Sequence, residues 1–308
     1  ILGQGLIGSS ITRAVFERNL ASEVSITDAS PKVRKRLLEL GLGRAKVVET
    51  NEEAVHDADL VIGCVPVGVY ADLIKEIAPH LKPGAIVSDV GSVKQSIIKD
   101  SAPFLPSNIH FIPAHPLAGT EHSGPDAGLP KLFANRWCIL TPVDGTPKEP
   151  IDIVEKFWEG LGSKVEVMTP QRHDEALAIT SHLPHLVAFS IFHTALAQEE
   201  RTSSPVIQFS AGAFKDFTRI ASSNPTMWRD IFLKNKEPIL SEFKKLISDM
   251  EDLASAIEND EGEKLVELIS KSRLTRRKVI EKEHISLQPE KPSEPFEDTI
   301  FRPYSSGD

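Results

Sequence analysis

Through residue 168 the chain alternates short apolar runs with stretches of helical periodicity, a pattern that specifies a parallel sheet covered by helices. Ile1 and Leu2 read as the end of a strand whose beginning is absent, which places the natural start, and any signal segment, outside this sequence. Further strands are expected at 24–28, 45–48, 59–65, 85–90, 110–114 and 137–141, with a final edge strand at 165–168. The run Leu60-Val61-Ile62-Gly63-Cys64-Val65 is continuously apolar, as a strand buried on both faces should be. Behind the first strand comes Gly3-Gln4-Gly5-Leu6-Ile7-Gly8, and then Ile7, Ile11, Ala14 and Val15 recur on one helical face.

That G-x-G-x-x-G turn, set between strand and helix, is the pattern of a dinucleotide site. Gly3 permits the tight turn, Gly5 lets the backbone approach a pyrophosphate, and Gly8 allows the helix to pack closely on the strand. Leu6 and Ile7 open a helix whose unpaired N–H groups and dipole face the phosphates. Asp28 ends the second strand 20 residues past Gly8, where a carboxylate accepts from the ribose hydroxyls of NAD and repels the 2′-phosphate of NADP. The plainer reading of Asp28 is a solvated turn aspartate, and nearby Lys32 and Arg34 would soften the discrimination. The first half is therefore expected to be an α/β Rossmann-type dinucleotide-binding domain that prefers NAD, with NADP disfavoured.

After Thr169 the strand signals stop. A helical stretch at 173–198 is interrupted by Pro184, which should kink or divide it. Ile239, Phe243, Leu246, Ile247, Met250, Leu253, Ala254 and Ile257 then keep a helical period for five turns, a stripe that needs a partner helix within the chain or across a dimer. Residues 261–282 continue as helix. Beyond Ser286 four prolines and little apolar periodicity predict a flexible tail, giving domains at 1–168 and 169–285 and a tail at 286–308.

Composition narrows the function classes. With 40% apolar and 26% charged residues the chain is neither disordered nor fibrous, and its net charge of −9 argues against a general nucleic-acid binder. No uninterrupted apolar run approaches the ~18 residues of a bilayer span, so no membrane partner is expected. Two cysteines, Cys64 and Cys138, form no disulfide framework, which makes a reducing, cytoplasmic setting the default.

Polar residues concentrate where a core strand would not need them: Asp89-Val90-Gly91-Ser92-Val93-Lys94 after the fifth strand, and His115-Pro116-Leu117-Ala118-Gly119-Thr120-Glu121 after the sixth. Ligands of open α/β sheets collect at that edge. The helical half adds Ser181-His182-Leu183-Pro184-His185, the segment from Gly212 to Arg219, and Trp228.

The strings GQGLIGSS, DVGSVK, HPLAGTE, SHLPH and FKDFTRIASSNPTMWRDIF, in this order, resemble the prephenate/arogenate dehydrogenases of tyrosine biosynthesis over roughly residues 1–285. The resemblance implies a dinucleotide-binding domain followed by an all-helical dimerisation domain, working as a homodimer. It also implies the NAD-dependent oxidative decarboxylation of prephenate to 4-hydroxyphenylpyruvate, or of arogenate to tyrosine. By resemblance His115 takes the substrate's hydroxyl proton, a role for which a neutral imidazole is suited. Ser92 would orient that histidine beside the nicotinamide. Substrate carboxylates need cations in a water-poor cleft, and Arg219, with its planar fork, matches the residue that holds the ring carboxylate. His185 and, less directly, His182 would lie near the substrate. Thr120 and Glu121 would stand at the cleft entrance, and Trp228 would reach toward the neighbouring subunit's site. Lys215 either joins the substrate groups or pairs with Asp216 on the surface.

Three other readings compete. His173, His182 and His185 invite a metal, but Pro184 separates the last two and no cysteine or i,i+4 histidine pair completes a tetrahedral set, so no metal is expected. A β-hydroxyacid dehydrogenase shares the glycine turn and needs a lysine with a neighbouring asparagine, which Lys234-Asn235 imitates without accounting for HPLAGTE. A nicotinamide-binding redox sensor needs neither a proton acceptor nor a carboxylate-binding arginine. The five basic residues within 271–278 read as a solvated helix face.

Overall fold

The computed structural model describes residues 1–120 and 122–287, the last seven as backbone only; Glu121 and residues 288–308, most of the expected tail, lie outside the described residues. The elements are α1 (Leu6–Glu17), β1 (Ser25–Ile26), α2 (Pro31–Leu40), β2 (Lys46–Val47), α3 (Asn51–Val55), β3 (Leu60–Gly63), α4 (Tyr70–Ile77), β4 (Ile86–Asp89), α5 (Gln95–Ser101), β5 (His110–Phe111), β6 (Ala114–Pro116), β7 (Trp137–Leu140), α6 (Lys148–Gly160) and β8 (Lys164–Val167). The helical part follows as α7 (Pro170–Leu177), α8 (Leu183–Thr202), α9 (Gly212–Thr218), α10 (Pro225–Lys234), α11 (Lys236–Glu258) and α12 (Gly262–Leu287).

Leu2 is the hub of the sheet. It bridges Thr27 on one side and Gly63 on the other, both in parallel, and so joins the β1–β2 pair to β3–β4–β5. Strand alternation then feeds two separate cores. Ile62, Ile86 and Ile112 point to the side covered by α1 and α6, against Ile11, Val15 and Trp158. Val61, Val87 and Phe111 point to the other, against Tyr70, Leu73 and Ile74 of α4. Each buried side chain of this kind contributes roughly 1.5–3 kcal/mol, so both faces hold the short strands in place.

The strand expected at 110–114 is two strands. Pro113 has no N–H to continue the ladder with β4, and its carbonyl instead accepts from Thr141 N at 2.8 Å. The chain turns there into β6, which runs antiparallel to β7, while β8 lies parallel on the far edge of β7. His115 therefore sits within a strand, opposite Ile139, rather than in the loop after one.

The helix around Pro184 is bent out of the α pattern rather than cut. Residues 178–182 form a single π turn between α7 and α8, which absorbs the hydrogen bond that Pro184 cannot donate. The resulting run, Pro170–Thr202, is long and apolar enough for a bilayer by length and composition, which the reading of uninterrupted apolar runs did not anticipate. It carries buried His173, Asp174 and His182, and Asp174 is hydrogen-bonded to the head of α5, while only 28% of its apolar window is buried and Ile191, Phe192 and Leu196 of α8 are exposed.

By compactness the chain divides into two units, 1–244 and from 245 onward. Within the first unit, α10 is tied to the α/β part. Lys234 of α10 pairs with Asp100 of α5 at 2.6 Å, and Asp230 stands where a Cβ on Gly68 would be. In the second unit the apolar stripe of α11 stays open, with Met250 57% and Ile257 64% exposed.

Candidate active site

The nucleotide turn has the shape its residues require. Gly3 takes φ +85°, and a Cβ there would lie 2.6 Å from the Cys64 carbonyl oxygen. A Cβ on Gly8 would meet the Gly3 carbonyl oxygen at 2.0 Å. Gly5, the N-cap of α1, faces open space, the cradle that a pyrophosphate needs beside the amides of Leu6 and Ile7. Asp28 Oδ2 accepts from Gln4 N at 2.8 Å and Oδ1 from Ser30 N at 2.9 Å, so the carboxylate is fixed at the turn with lone pairs to spare for ribose hydroxyls. Arg34 is committed elsewhere: Nη1 donates to the Asp28 carbonyl at 2.7 Å and Nη2 to Glu49 at 2.9 Å. These residues fit a dinucleotide whose ribose carries free hydroxyls.

The β4–α5 turn is built around a buried ion pair. Lys94 Nζ donates to Asp89 Oδ2 and, at 2.7 Å, to the Ala114 carbonyl oxygen; both side chains are fully buried. Asp89 also accepts from Gly91 N and Ala114 N. Burial pushes the Asp89 carboxyl up and the Lys94 ammonium down, each opposed by the other's charge. The pair ties the end of β4 to the start of β6, one residue before His115.

A chain of side chains runs back from His115 into the helical part. Its Nδ1 lies 2.8 Å from His173 Nε2, and His173 Nδ1 lies 2.8 Å from Asp174 Oδ1. Asp174 accepts in addition from Lys94 N at 2.8 Å and Gln95 N at 2.9 Å, while its own carbonyl accepts from Asn235 Nδ2. Burial, reinforced by the charges of His173 and Lys94, holds His115 well below the usual imidazole range. Burial also lowers His173, against the pull of Asp174. His115 is therefore a neutral imidazole at pH 7.

His182 is fully buried, with Nδ1 3.0 Å from Asn235 Nδ2 and no hydrogen-bond partner on Nε2. Burial brings it to about 4, opposed by Asp174. Ser92, half-buried between Asp89 and Lys94, presents its backbone carbonyl to His182. His185 donates from Nδ1 to the Ser181 carbonyl at 2.9 Å and stacks on Trp228 at 3.7 Å between ring centroids. Trp228 is packed inside its own chain, against His185, Phe189 and Phe232.

The cationic groups are placed differently. Arg219 begins the 3-10 turn after α9 and is exposed in the chain, close enough to His185 for its charge to lower that imidazole. The water-poor setting expected for it is not formed by this chain's described residues. Lys215 and Thr120 are exposed as well, and Lys215 makes no ion pair with Asp216 among the described residues. Lys234, the lysine of the rival reading, is held by Asp100, and Asn235 is occupied by Asp174 and His182. From sequence, His173 reads only as a metal candidate and Asn235 only as part of the rival site, while Asp174 and Lys94 carry no assigned role; an adjacent His–Asp pair on a helix is not a specific signal.

Residues 11–167 match the family described as prephenate dehydrogenase, nucleotide-binding domain, and residues 169–271 the family described as prephenate dehydrogenase, dimerization domain. The chain belongs to the prephenate dehydrogenase family. It is 41% identical to the cyclohexadienyl dehydrogenase of Zymomonas mobilis over 90% of this chain and 94% of that one. It is 34% identical to the prephenate dehydrogenase of Bacillus subtilis, covering 86% of this chain and 71% of the relative. Among solved structures, the prephenate dehydrogenase of Aquifex aeolicus in complex with hydroxyphenyl propionate and NAD+ aligns with TM-score 0.84 at 31% identity, over 90% of this chain and 96% of that one. A dinucleotide turn and a half-buried imidazole held below its usual range thus stand together in this chain.

Proposed function

We propose that the chain is an NAD-dependent cyclohexadienyl dehydrogenase that oxidatively decarboxylates prephenate, arogenate or both in tyrosine biosynthesis. One observation carries this reading: a half-buried neutral histidine whose Nδ1 is occupied, on a strand tied to the β4–α5 turn. NAD, held at Gly3, Gly5, Leu6, Ile7, Gly8 and Asp28, supplies when bound the acceptor for the hydride that leaves the ring carbon.

The rest is the chain's own work. His115 Nε2 accepts the ring hydroxyl proton as that carbon is oxidised to a carbonyl. Loss of the ring carboxylate as CO2 sends its electron pair into the ring, which becomes aromatic, and the proton held on His115 returns to the ring oxygen. Ser92 orients His115 and the nicotinamide. Arg219 holds a substrate carboxylate, with Lys215 adding positive charge. His185, its Nδ1 spent on Ser181, offers Nε2 as an acceptor at the substrate's edge, and His182 and Trp228 back it. Thr120 stands at the entrance, the place the family resemblance also gives to Glu121. The open apolar faces of α8 and α11 support a homodimer, and a cytoplasmic location fits two free cysteines.

The test is formation of reduced nicotinamide by the purified protein with prephenate and with arogenate, each with NAD and with NADP. Turnover with NAD and either substrate is expected, with NADP slower. Silence in all four mixtures, with NAD shown to bind, would overturn the reading.

A further inference from the structure

The hydrogen bonds behind His115 have a direction. Asp174 already receives two backbone N–H groups on its carboxylate, so it meets His173 Nδ1 as an acceptor and His173 carries its proton there. A neutral His173 then has only a lone pair at Nε2. That lone pair faces His115 Nδ1 at 2.8 Å, so His115 carries its proton on Nδ1 and keeps Nε2 as a lone pair. The other buried imidazole nearby is set the opposite way. The amide nitrogen Nδ2 of Asn235 donates to His182 Nδ1, which leaves the His182 proton on Nε2.

We propose that His173 and Asp174 are positioning residues that lock His115 in the Nδ1–H form, leaving Nε2 as the site that takes the substrate's hydroxyl proton. The inference rests on the function proposed above for His115 and deepens it. When Nε2 takes that proton, the positive charge forms on a ring whose other N–H is already bonded to His173, and through it faces the Asp174 carboxylate. No proton needs to leave the chain. Asp174 also clamps the amides of Lys94 and Gln95, so the group that sets the tautomer fixes the turn bearing Ser92 as well. A wrong tautomer would put an N–H where the base is needed and would slow chemistry without weakening substrate binding.

The test uses the full-length protein with isotope-labelled histidine. Long-range proton–nitrogen correlations distinguish Nδ1–H from Nε2–H rings, and the His115 signals are identified by their loss in His115→Asn. The expected result is Nδ1–H at His115 in the wild type. His173→Gln, whose side-chain oxygen replaces the His173 Nε2 acceptor, should keep that form and most of kcat. His173→Leu should show a tautomer mixture and a kcat lowered by about 10²-fold, with KM and NAD affinity changed by less than about threefold. An Nε2–H ring at His115 in the wild type overturns the proposal, as does an unchanged tautomer in His173→Leu. If His173→Leu fails to fold, the wild-type and His173→Gln spectra still decide. The spectra need no turnover, so an enzyme inactive on both substrates would refute the proposed function without deciding the tautomer.

Discussion

His115 and Arg219 are assigned to the same substrate, yet the chain holds them in opposite ways. His115 lies in a strand, backed by His173, Asp174 and the buried Lys94–Asp89 pair, with a donor or acceptor fixed at each step. Arg219 begins a four-residue 3-10 turn and stands in solvent. The half that moves a proton is preorganised within one chain, where a fixed tautomer and low dielectric strengthen it. The half that captures charge is left accessible, which suits a group that must meet a hydrated carboxylate. Substitutions behind His115 should therefore act mainly on kcat, and substitutions around Arg219 mainly on KM.

The largest break in that comparison is His115→Asn. It should lower kcat by about 10³-fold and leave NAD affinity, measured by fluorescence titration, unchanged. A variant that keeps wild-type kcat would remove His115 from the proton's path. Next comes acid stability. His182 is at about 4 in the folded chain against 6.5 unfolded, so between those values the unfolded state binds the extra proton. Stability is thus lost as pH falls from 6.5 toward 4, by about 3 kcal/mol for this group, and is independent of it above 6.5. Urea midpoints at pH 7.5 and 4.5 should show that loss, and His182→Asn, which retains an acceptor for Asn235, should reduce it. Parallel slopes for the two proteins would mean that His182 titrates normally. Because His115 is lowered in the same direction, the acid limb of kcat/KM should also fall below pH 6.5.

Arg219→Ala should raise KM by about 10–100-fold, the equivalent of roughly 1.5–3 kcal/mol for a charged hydrogen-bonded contact, with kcat within a few-fold. A drop in kcat at unchanged KM would reverse the two halves. The two halves also differ in how far sequence could describe them. The glycine turn and Asp28 are local signals, because six consecutive residues set the backbone and one side chain twenty residues on completes it. The alternation that predicts the sheet is equally local, and Leu60–Gly63 feeds two cores as its unbroken apolar run implies. His173 and Asp174 are not local. Their role depends on a 58-residue separation closing to 2.8 Å, and in sequence an adjacent His–Asp pair on a helix looks like any solvated turn of helix. Nor does the sequence show that Pro113 would stop one strand and start another, which is what moves His115 from a loop into β6.

The smallest expected effect tests the nucleotide end. Asp28→Ser removes the carboxylate that repels a 2′-phosphate and should shift the NAD-to-NADP ratio of kcat/KM by about tenfold toward NADP. Glu49→Gln leaves that carboxylate in place but no longer neutralises Arg34, which Glu49 holds at 2.9 Å. Since exposed ion pairs are worth about 0–1 kcal/mol, this change alone should shift the ratio by no more than about fivefold. Together the two should shift it by more than the product of the single changes, because an unneutralised Arg34 gains a phosphate to bind only once Asp28 stops repelling it. Simple multiplicativity would mean that Arg34 remains bound to the Asp28 and Ala29 carbonyls and never turns toward the ribose. Asp28 would then account for the discrimination alone.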